Sequence, residues 1–436
     1  MTKRIRKALE FPRCKGRAVV AAFDGGAVTS DAGVLLLRQA DRRLGLMKQI
    51  GRVIPDPRRQ ASCTHDLLSQ LRQRVYAVAL GYEDLNDHAT LRNDLALQTA
   101  VDRDEALASS PTLCRLENRA ERETAWAMHE VLVEQFIASH KEPPRELILD
   151  FDPTDDPVHG NQVGKFFHGF YDEYCFLPLY VFCQERLLVA YLRPANRGAA
   201  HHAGAILKLL VERLRQAWPN VRIVFRADSG FCIPRILAWC DRNGVDYIVG
   251  LAKNKRLNTL AGATLAKAAQ RFAKSGHKAR LFTGFRYATR NWKRKRRVIA
   301  RVEHDAEGTN PRYVVTSLSG QGRDLYEQVY CARGEMENRI KEQLQLFSDR
   351  TSCHEWWPNQ FRLLLSSLAY VLMEAIRRLG LQGTELARAQ VVTIRIKLLK
   401  IGAVIVRNTR RVRFLLPSAY PAQALFRLVA AHLAPS

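Results

Sequence analysis

The spacing of apolar residues changes character along the chain. Up to about residue 140 it is helical: Leu67, Leu68, Leu71, Val75, Val78 and Ala79 form one stripe behind the cap residues Ser62 and Thr64. An earlier helix is predicted to open at Val34, after the turn Asp24-Gly25-Gly26 and the capping run Thr29-Ser30-Asp31-Ala32-Gly33. A later one is predicted near Ser109-Ser110-Pro111, where proline suits the first turn. From Pro144 the segments shorten and read as strands: Glu146–Asp152, Leu177–Cys183 and Leu187–Leu192. A helix from about His202 to Trp218 follows, then strand Val221–Asp228, helix Ile233–Asn243 and strand Tyr247–Gly250. The order β-β-β-α-β-α-β predicts an α/β core with three leading antiparallel strands.

A segment with its own β-like pattern, including Val298–Val302 and Tyr313–Ser317, interrupts that core. Long helices are predicted from Tyr326 to about Phe347 and from Phe361 to about Leu379. In the tail, Val391–Lys397, Val404–Arg407 and Val412–Leu416 suggest a small basic hairpin closed by a helix. With 436 residues the chain is long enough for two or three domains. The expected division is a mostly helical region 1–140, a catalytic region 141–385 with an insertion at about 250–322, and a small basic region 386–436.

Charge sharpens this picture. The formal net charge is +25, and it is concentrated. Tyr247–Val302 holds 16 Lys and Arg and no Asp or Glu; Leu386–Ser436 holds 9 and again none. Segregation of this kind suits a polyanion, whose phosphates offset the repulsion between neighbouring cations. The densest run is Arg290-Asn291-Trp292-Lys293-Arg294-Lys295-Arg296-Arg297, where an aromatic able to stack on a base sits among phosphate-binding groups; a solvated loop is the alternative. No apolar run approaches the roughly 20 residues of a membrane span. The basic start Met1–Lys7 is not followed by a secretory pattern, and a cytoplasmic setting is expected. Nine dispersed cysteines without a C-x-x-C pair read as reduced thiols, Cys232 and Cys240 among them as buried small hydrophobes. His159, His201 and His202 fit no zinc spacing and are read as solvated or hydrogen-bonded.

Candidate chemistry lies at strand ends. Asp152 and Asp228 each close an apolar strand just before a turn, in Asp152-Pro153-Thr154 and Asp228-Ser229-Gly230. Two carboxylates at one sheet edge repel each other unless a cation intervenes, and Mg2+ accepts such oxygens together with water and phosphate. Taken singly, each aspartate could equally cap a turn, and Asp150, Asp155 and Asp156 compete for the first position. Tyr330, Arg333, Glu337 and Lys341 are spaced to share one helix face, which offers Glu337 as a third carboxylate; a surface salt-bridge ladder is the alternative.

These residues resemble the DDE transposases of bacterial insertion sequences, in the branch with a Tyr-x2-Arg-x3-Glu-x6-Lys signature. Tyr330, Arg333 and Glu337 match its first three elements, whereas position 344, where the signature has Lys, is Leu, leaving Lys341 one turn after Glu337 as a substitute. Asp152-Pro153-Thr154 matches the first Asp-x-Thr motif. Gly25-Gly26, Thr29–Gly33, Gly81–His88, Leu107–Leu113, His159-Gly160 and Arg226–Phe231 resemble one subgroup, so the likeness covers most of the chain and thins after about residue 380.

The resemblance implies a ribonuclease-H-like catalytic core with a β-rich insertion between Asp228 and Glu337. It implies two divalent ions per site, Mg2+ with Mn2+ able to substitute, about 4 Å apart, bridged by Asp152 and completed by Asp228 and Glu337. Water would free a 3′-hydroxyl at the element's terminal inverted repeat, and that hydroxyl would attack target DNA without a covalent protein intermediate. Tyr330, Arg333 and Lys341 would hold phosphates, Trp292 would stack on a displaced base, and Lys293, Arg294, Lys295, Arg296 and Arg297 would bind DNA. The N-terminal helices and the basic tail both remain candidates for reading the repeats. The resemblance implies double-stranded DNA as the partner, held by a homodimer on paired ends. A nuclease or resolvase without strand transfer, and a DNA-binding protein without catalysis, are the competing functions.

Overall fold

The computed structural model describes residues 8–434; the basic run Met1–Lys7 lies outside them. The chain divides into two compact units, one of Met1–Ala120, Gln345–Phe347 and Leu368–Ser436, the other of Glu121–Leu344 and Ser348–Ser367. In this division the basic tail shares a unit with the N-terminal helices.

Backbone pairing explains that union. Strand Ala403–Arg407 lies between Val412–Leu415 and the short strand Val28–Thr29, antiparallel to both. The hairpin predicted for the tail thus exists, but it is completed by Val28 and Thr29, from the other end of the chain. Helices Val34–Leu44, Leu67–Leu80 and Ser110–Asn118 form where the apolar period predicts them. The cap of the second differs: the Asp66 carboxylate accepts the Ser69 amide at 2.8 Å, a position neither Ser62 nor Thr64 occupies. Val391–Ile394 is helical where its β-branched run suggested a strand. Val391, Ile394 and Leu398 are all buried, and their spacing of three and seven places them on one helix face, so burial outweighs local propensity.

The other unit is built on an eight-stranded mixed sheet. Its strands are β1 (Glu146–Pro153), β2 (Leu179–Cys183), β3 (Arg186–Tyr191), β4 (Arg222–Ala227), β5 (Asp246–Leu251), β6 (Ala279–Tyr287), β7 (Arg296–Asp305) and β8 (Gly308–Thr316). The spatial order is β6-β7-β8-β5-β4-β1-β2-β3. β1, β4 and β5 run parallel; the rest pair antiparallel. Helix α1 (Ala203–Ala217) crosses between β3 and β4, and α2 (Pro234–Arg242) between β4 and β5. Leu207, Leu210, Val211 and Leu214 form the buried stripe of α1. They join Phe151, Phe225 and Phe231 in the main core, where the Phe151 and Phe225 rings meet edge to face at 5.0 Å.

Three further features depart from expectation. The insertion is not a separate β-rich body, since it contains helix α3 (Gly262–Ser275) and its strands extend the core sheet through the β5–β8 pairing. Between β1 and β2, the turn-rich segment forms a small sheet of Asp156–Pro157, Phe166–His168 and Glu173–Phe176. The helix predicted from Tyr326 is also not uniform. It winds as a π-turn over Leu325–Tyr330, tightens to a 3-10 turn over Cys331–Arg333, and continues as α4 (Gly334–Leu344). Among the described residues no helix is long and apolar enough to cross a membrane.

Candidate active site

The parallel pairing of β1 with β4 aligns Phe151 with Ala227, so the residues that follow, Asp152 and Asp228, emerge side by side at the same sheet edge. Asp152 is buried and Asp228 half-buried. Two of the three competitors for the first position, Asp150 and Asp156, are committed elsewhere. Asp150 is held by Arg226 through both carboxylate oxygens, and Asp156 is buried and accepts the Thr351 hydroxyl at 2.8 Å.

Glu337 joins this edge through α4. Arg333, one turn earlier, donates to Asp152 Oδ2 at 2.8 Å and to Glu337 Oε1 at 3.2 Å, so a single guanidinium links the strand carboxylate to the helix carboxylate. Burial, with Asp228 and Glu337 nearby, pushes the Asp152 carboxyl up to about 7 against the opposing pull of Arg333. Asp228 uses one oxygen to accept the Gly230 amide at 2.9 Å, which shapes the turn that presents it. Burial also raises the Tyr330 hydroxyl, with Asp228 and Asp152 contributing in the same direction.

Gly250 of β5, which the sequence did not single out, makes room for this approach. A Cβ there would lie 2.7 Å from the Tyr330 hydroxyl and 2.7 Å from the Ser229 amide nitrogen. Only the absence of a side chain lets the helix bring Tyr330 against the Asp228 turn. The sequence signal was a glycine inside the apolar run Tyr247–Ala252, a pattern that marks close backbone approach.

Among the described residues no three His, Cys, Asp or Glu side chains converge tightly enough to hold one metal ion. The carboxylates are gathered about Arg333 instead. The donor chemistry nevertheless fits a hard dication: the groups are all carboxylate oxygens, Arg333 contacts two of them, and burial, with Asp228 and Glu337 nearby, disfavours the ionised form of the innermost carboxyl, Asp152.

The basic cluster divides by exposure. Lys293, Arg294 and Lys295 are exposed and Arg297 is half-buried, donating to the Leu318 and Gly320 carbonyls at 3.0 and 2.7 Å. Trp292 and Arg296, expected among the DNA contacts, are buried. The Trp292 ring packs edge-on against Tyr287 at 5.7 Å and lies 5.4 Å beneath the Arg296 guanidinium, so its faces are spent within the fold. Arg294 and Arg296 both pair with Asp241 of α2, and Glu303 gathers Lys278, Arg280 and Arg301. Acids just outside the acid-free stretch thus neutralise part of its charge. Lys341 is exposed one turn beyond Glu337. His201 and His202 stack at 3.8 Å, with His202 hydrogen-bonded to Tyr191.

The family of transposase DDE domains, group 1, matches residues 11–436. This chain belongs to that family. As a transposase-family protein it is matched over nearly its whole length. No curated protein matches it. Among solved structures, the cryo-EM structure of a piggyBac transposase synaptic complex with hairpin DNA aligns with 94% of this chain and 86% of that one, at 11% identity and a TM-score of 0.41.

Proposed function

We propose that this transposase cuts DNA at the terminal inverted repeats of a bacterial insertion sequence and joins the freed ends to target DNA, with Asp152, Asp228 and Glu337 as its carboxylate triad. The observation that carries this reading is the side-by-side emergence of Asp152 and Asp228 with Arg333 bridging Asp152 to Glu337. The sheet supports a ribonuclease-H-like core: three antiparallel strands, then two parallel strands each preceded by a helix, with carboxylates at the ends of the first and fourth.

Asp152, Asp228 and Glu337 would hold the divalent ions, two Mg2+ or Mn2+ per site. Bound there, they would lower the pKa of the attacking water or 3′-hydroxyl and neutralise charge on the scissile phosphate. Burial pushes the Asp152 carboxyl up to about 7, so a bound dication would favour its ionised form. Arg333 and Tyr330 would orient the phosphodiester, Arg333 by turning a guanidinium donor from carboxylate to phosphate oxygen. Lys341 would add a cation one turn further along. The exposed Lys293, Arg294 and Lys295 would grip DNA outside the site, and the unit containing the N-terminal helices and the tail would read the repeats. The setting would be the cytoplasm, with a homodimer on paired ends.

The test uses purified protein and a plasmid carrying the inverted repeats that flank its gene, with Mg2+ or Mn2+. Metal-dependent cleavage at the repeat ends and joining to a second DNA are expected. Asp228→Asn and Glu337→Gln should each lower cleavage by on the order of 100-fold, the scale of losing one electrostatic stabiliser, while leaving repeat binding intact. Cleavage without joining would favour a nuclease or resolvase. Binding without cleavage, indifferent to both substitutions, would sink the catalytic reading.

A further inference from the structure

Arg226 is buried beneath the carboxylates and takes no part in them, yet it touches each segment that delivers one. Its Nε and Nη2 donate to Asp150 Oδ1 and Oδ2 at 2.5 and 2.7 Å, and its Nη1 donates to the Val329 carbonyl at 2.5 Å. Asp150 and Arg226 are register partners, each two residues before a strand-end aspartate: Asp150 before Asp152 on β1, Arg226 before Asp228 on β4. Val329 immediately precedes Tyr330 and lies four residues before Arg333 and eight before Glu337. It sits where the helix passes from wide π winding to tight 3-10 winding, a place where regular carbonyl pairing is interrupted and an outside donor can enter.

We propose that Arg226 is a positioning residue, a three-way clamp that sets the helix carrying Tyr330, Arg333 and Glu337 at a fixed height over the two strand-end aspartates. The proposal rests on the carboxylate reading above. Arginine suits the task because its planar fork satisfies a bidentate carboxylate while a third donor points elsewhere, which a lysine ammonium on a flexible stem cannot reproduce. Asp150 cancels the charge, so the clamp adds no cation to the site and Arg333 remains the group that balances Asp152 and Glu337.

The test compares wild type with Arg226→Lys and with the double variant Asp150→Leu, Arg226→Met. The double variant replaces the buried pair by apolar groups of similar volume, an exchange that buried ion pairs often tolerate. Hydrogen exchange reads the clamp without reference to activity. In the double variant, amides of 325–337 should exchange about 10-fold faster or more while those of β1 and β4 keep their protection, a local opening and not global unfolding. Repeat-end cleavage should fall about 10–100-fold, the scale of a small misplacement of reacting groups, with DNA affinity within about 2-fold of wild type. Half-maximal cleavage should also require more Mn2+. Arg226→Lys should resemble the double variant, since it keeps charge and loses the fork.

Unchanged exchange over 325–337 in the double variant would overturn the clamp, as would wild-type cleavage despite faster exchange, or full function in Arg226→Lys. If wild type itself fails to cleave while the exchange pattern appears as expected, the clamp stands as architecture and the catalytic reading is what fails.

Discussion

A single hydrogen atom at Gly250 decides whether Tyr330 can reach the carboxylate edge. Alanine there would set a methyl 2.7 Å from both the Tyr330 hydroxyl and the Ser229 amide nitrogen, and the second is backbone that cannot swing aside. Gly250→Ala should therefore cost about 1–3 kcal/mol of stability, the usual range for overpacking, and should reduce end cleavage more than repeat binding. Urea denaturation alongside the two DNA assays would check this. His88 offers a pH prediction remote from the site. Burial pushes it down from 6.5 to about 3, and it is hydrogen-bonded to Gln73, which also donates to the Ala108 carbonyl at 2.9 Å. The folded state then binds fewer protons than the unfolded one between these values, so the stability contributed is fully present above pH 6.5 and is lost as pH falls toward 3. Asp156 acts in the opposite sense: burial raises it from 3.8 to about 8, so its contribution is full below 3.8 and declines as pH rises through that window. The difference between wild type and His88→Asn isolates the histidine. The unfolding free energy from urea titrations should drop further in wild type on going from pH 7 to pH 5, by up to about 1.4 kcal/mol per pH unit for one proton.

Among elements, the insertion shows how the same residues can be read in two ways. Arg290–Arg297 looked like a DNA-facing loop, but Trp292 and Arg296 close over the core beside Tyr287 while their neighbours point outward. Trp292→Ala should accordingly behave as a core truncation, lowering stability by about 3–5 kcal/mol, and should impair binding and cleavage together as the fold loosens. Stable protein with a selective defect in strand transfer would instead restore the stacking role. The helix bearing Glu337 is a second case. Its apolar period is legible from the sequence, but the passage from π to 3-10 to α winding is not, because it depends on side chains from β1 and β4 that occupy the space beside it.

For the whole chain, net charge overstates the cations open to DNA. Asp241 and Glu303 bind several of the basic residues internally. Lys293 and Lys295 are exposed, so the double change to glutamine should weaken DNA binding with little sequence preference and lower the salt dependence by about 0.9 per lost phosphate contact, with melting unchanged. A salt titration of affinity for unrelated duplexes measures this.

The local pattern of the chain was enough to locate β1, β4, β5 and their connecting helices to within a residue or two, since apolar period and turn residues act over neighbours only. It also singled out Asp152, Asp228 and Glu337. What it could not supply were relations between distant segments: the register that levels Asp152 with Asp228, the space at Gly250, the fork from Arg226 to Asp150 and Val329, and the pairing of Val28–Thr29 with the tail. Those depend on packing and long-range hydrogen bonds, which exist only once the strands lie beside one another. For that reason the candidate carboxylates could be read in one dimension, and their arrangement only in three.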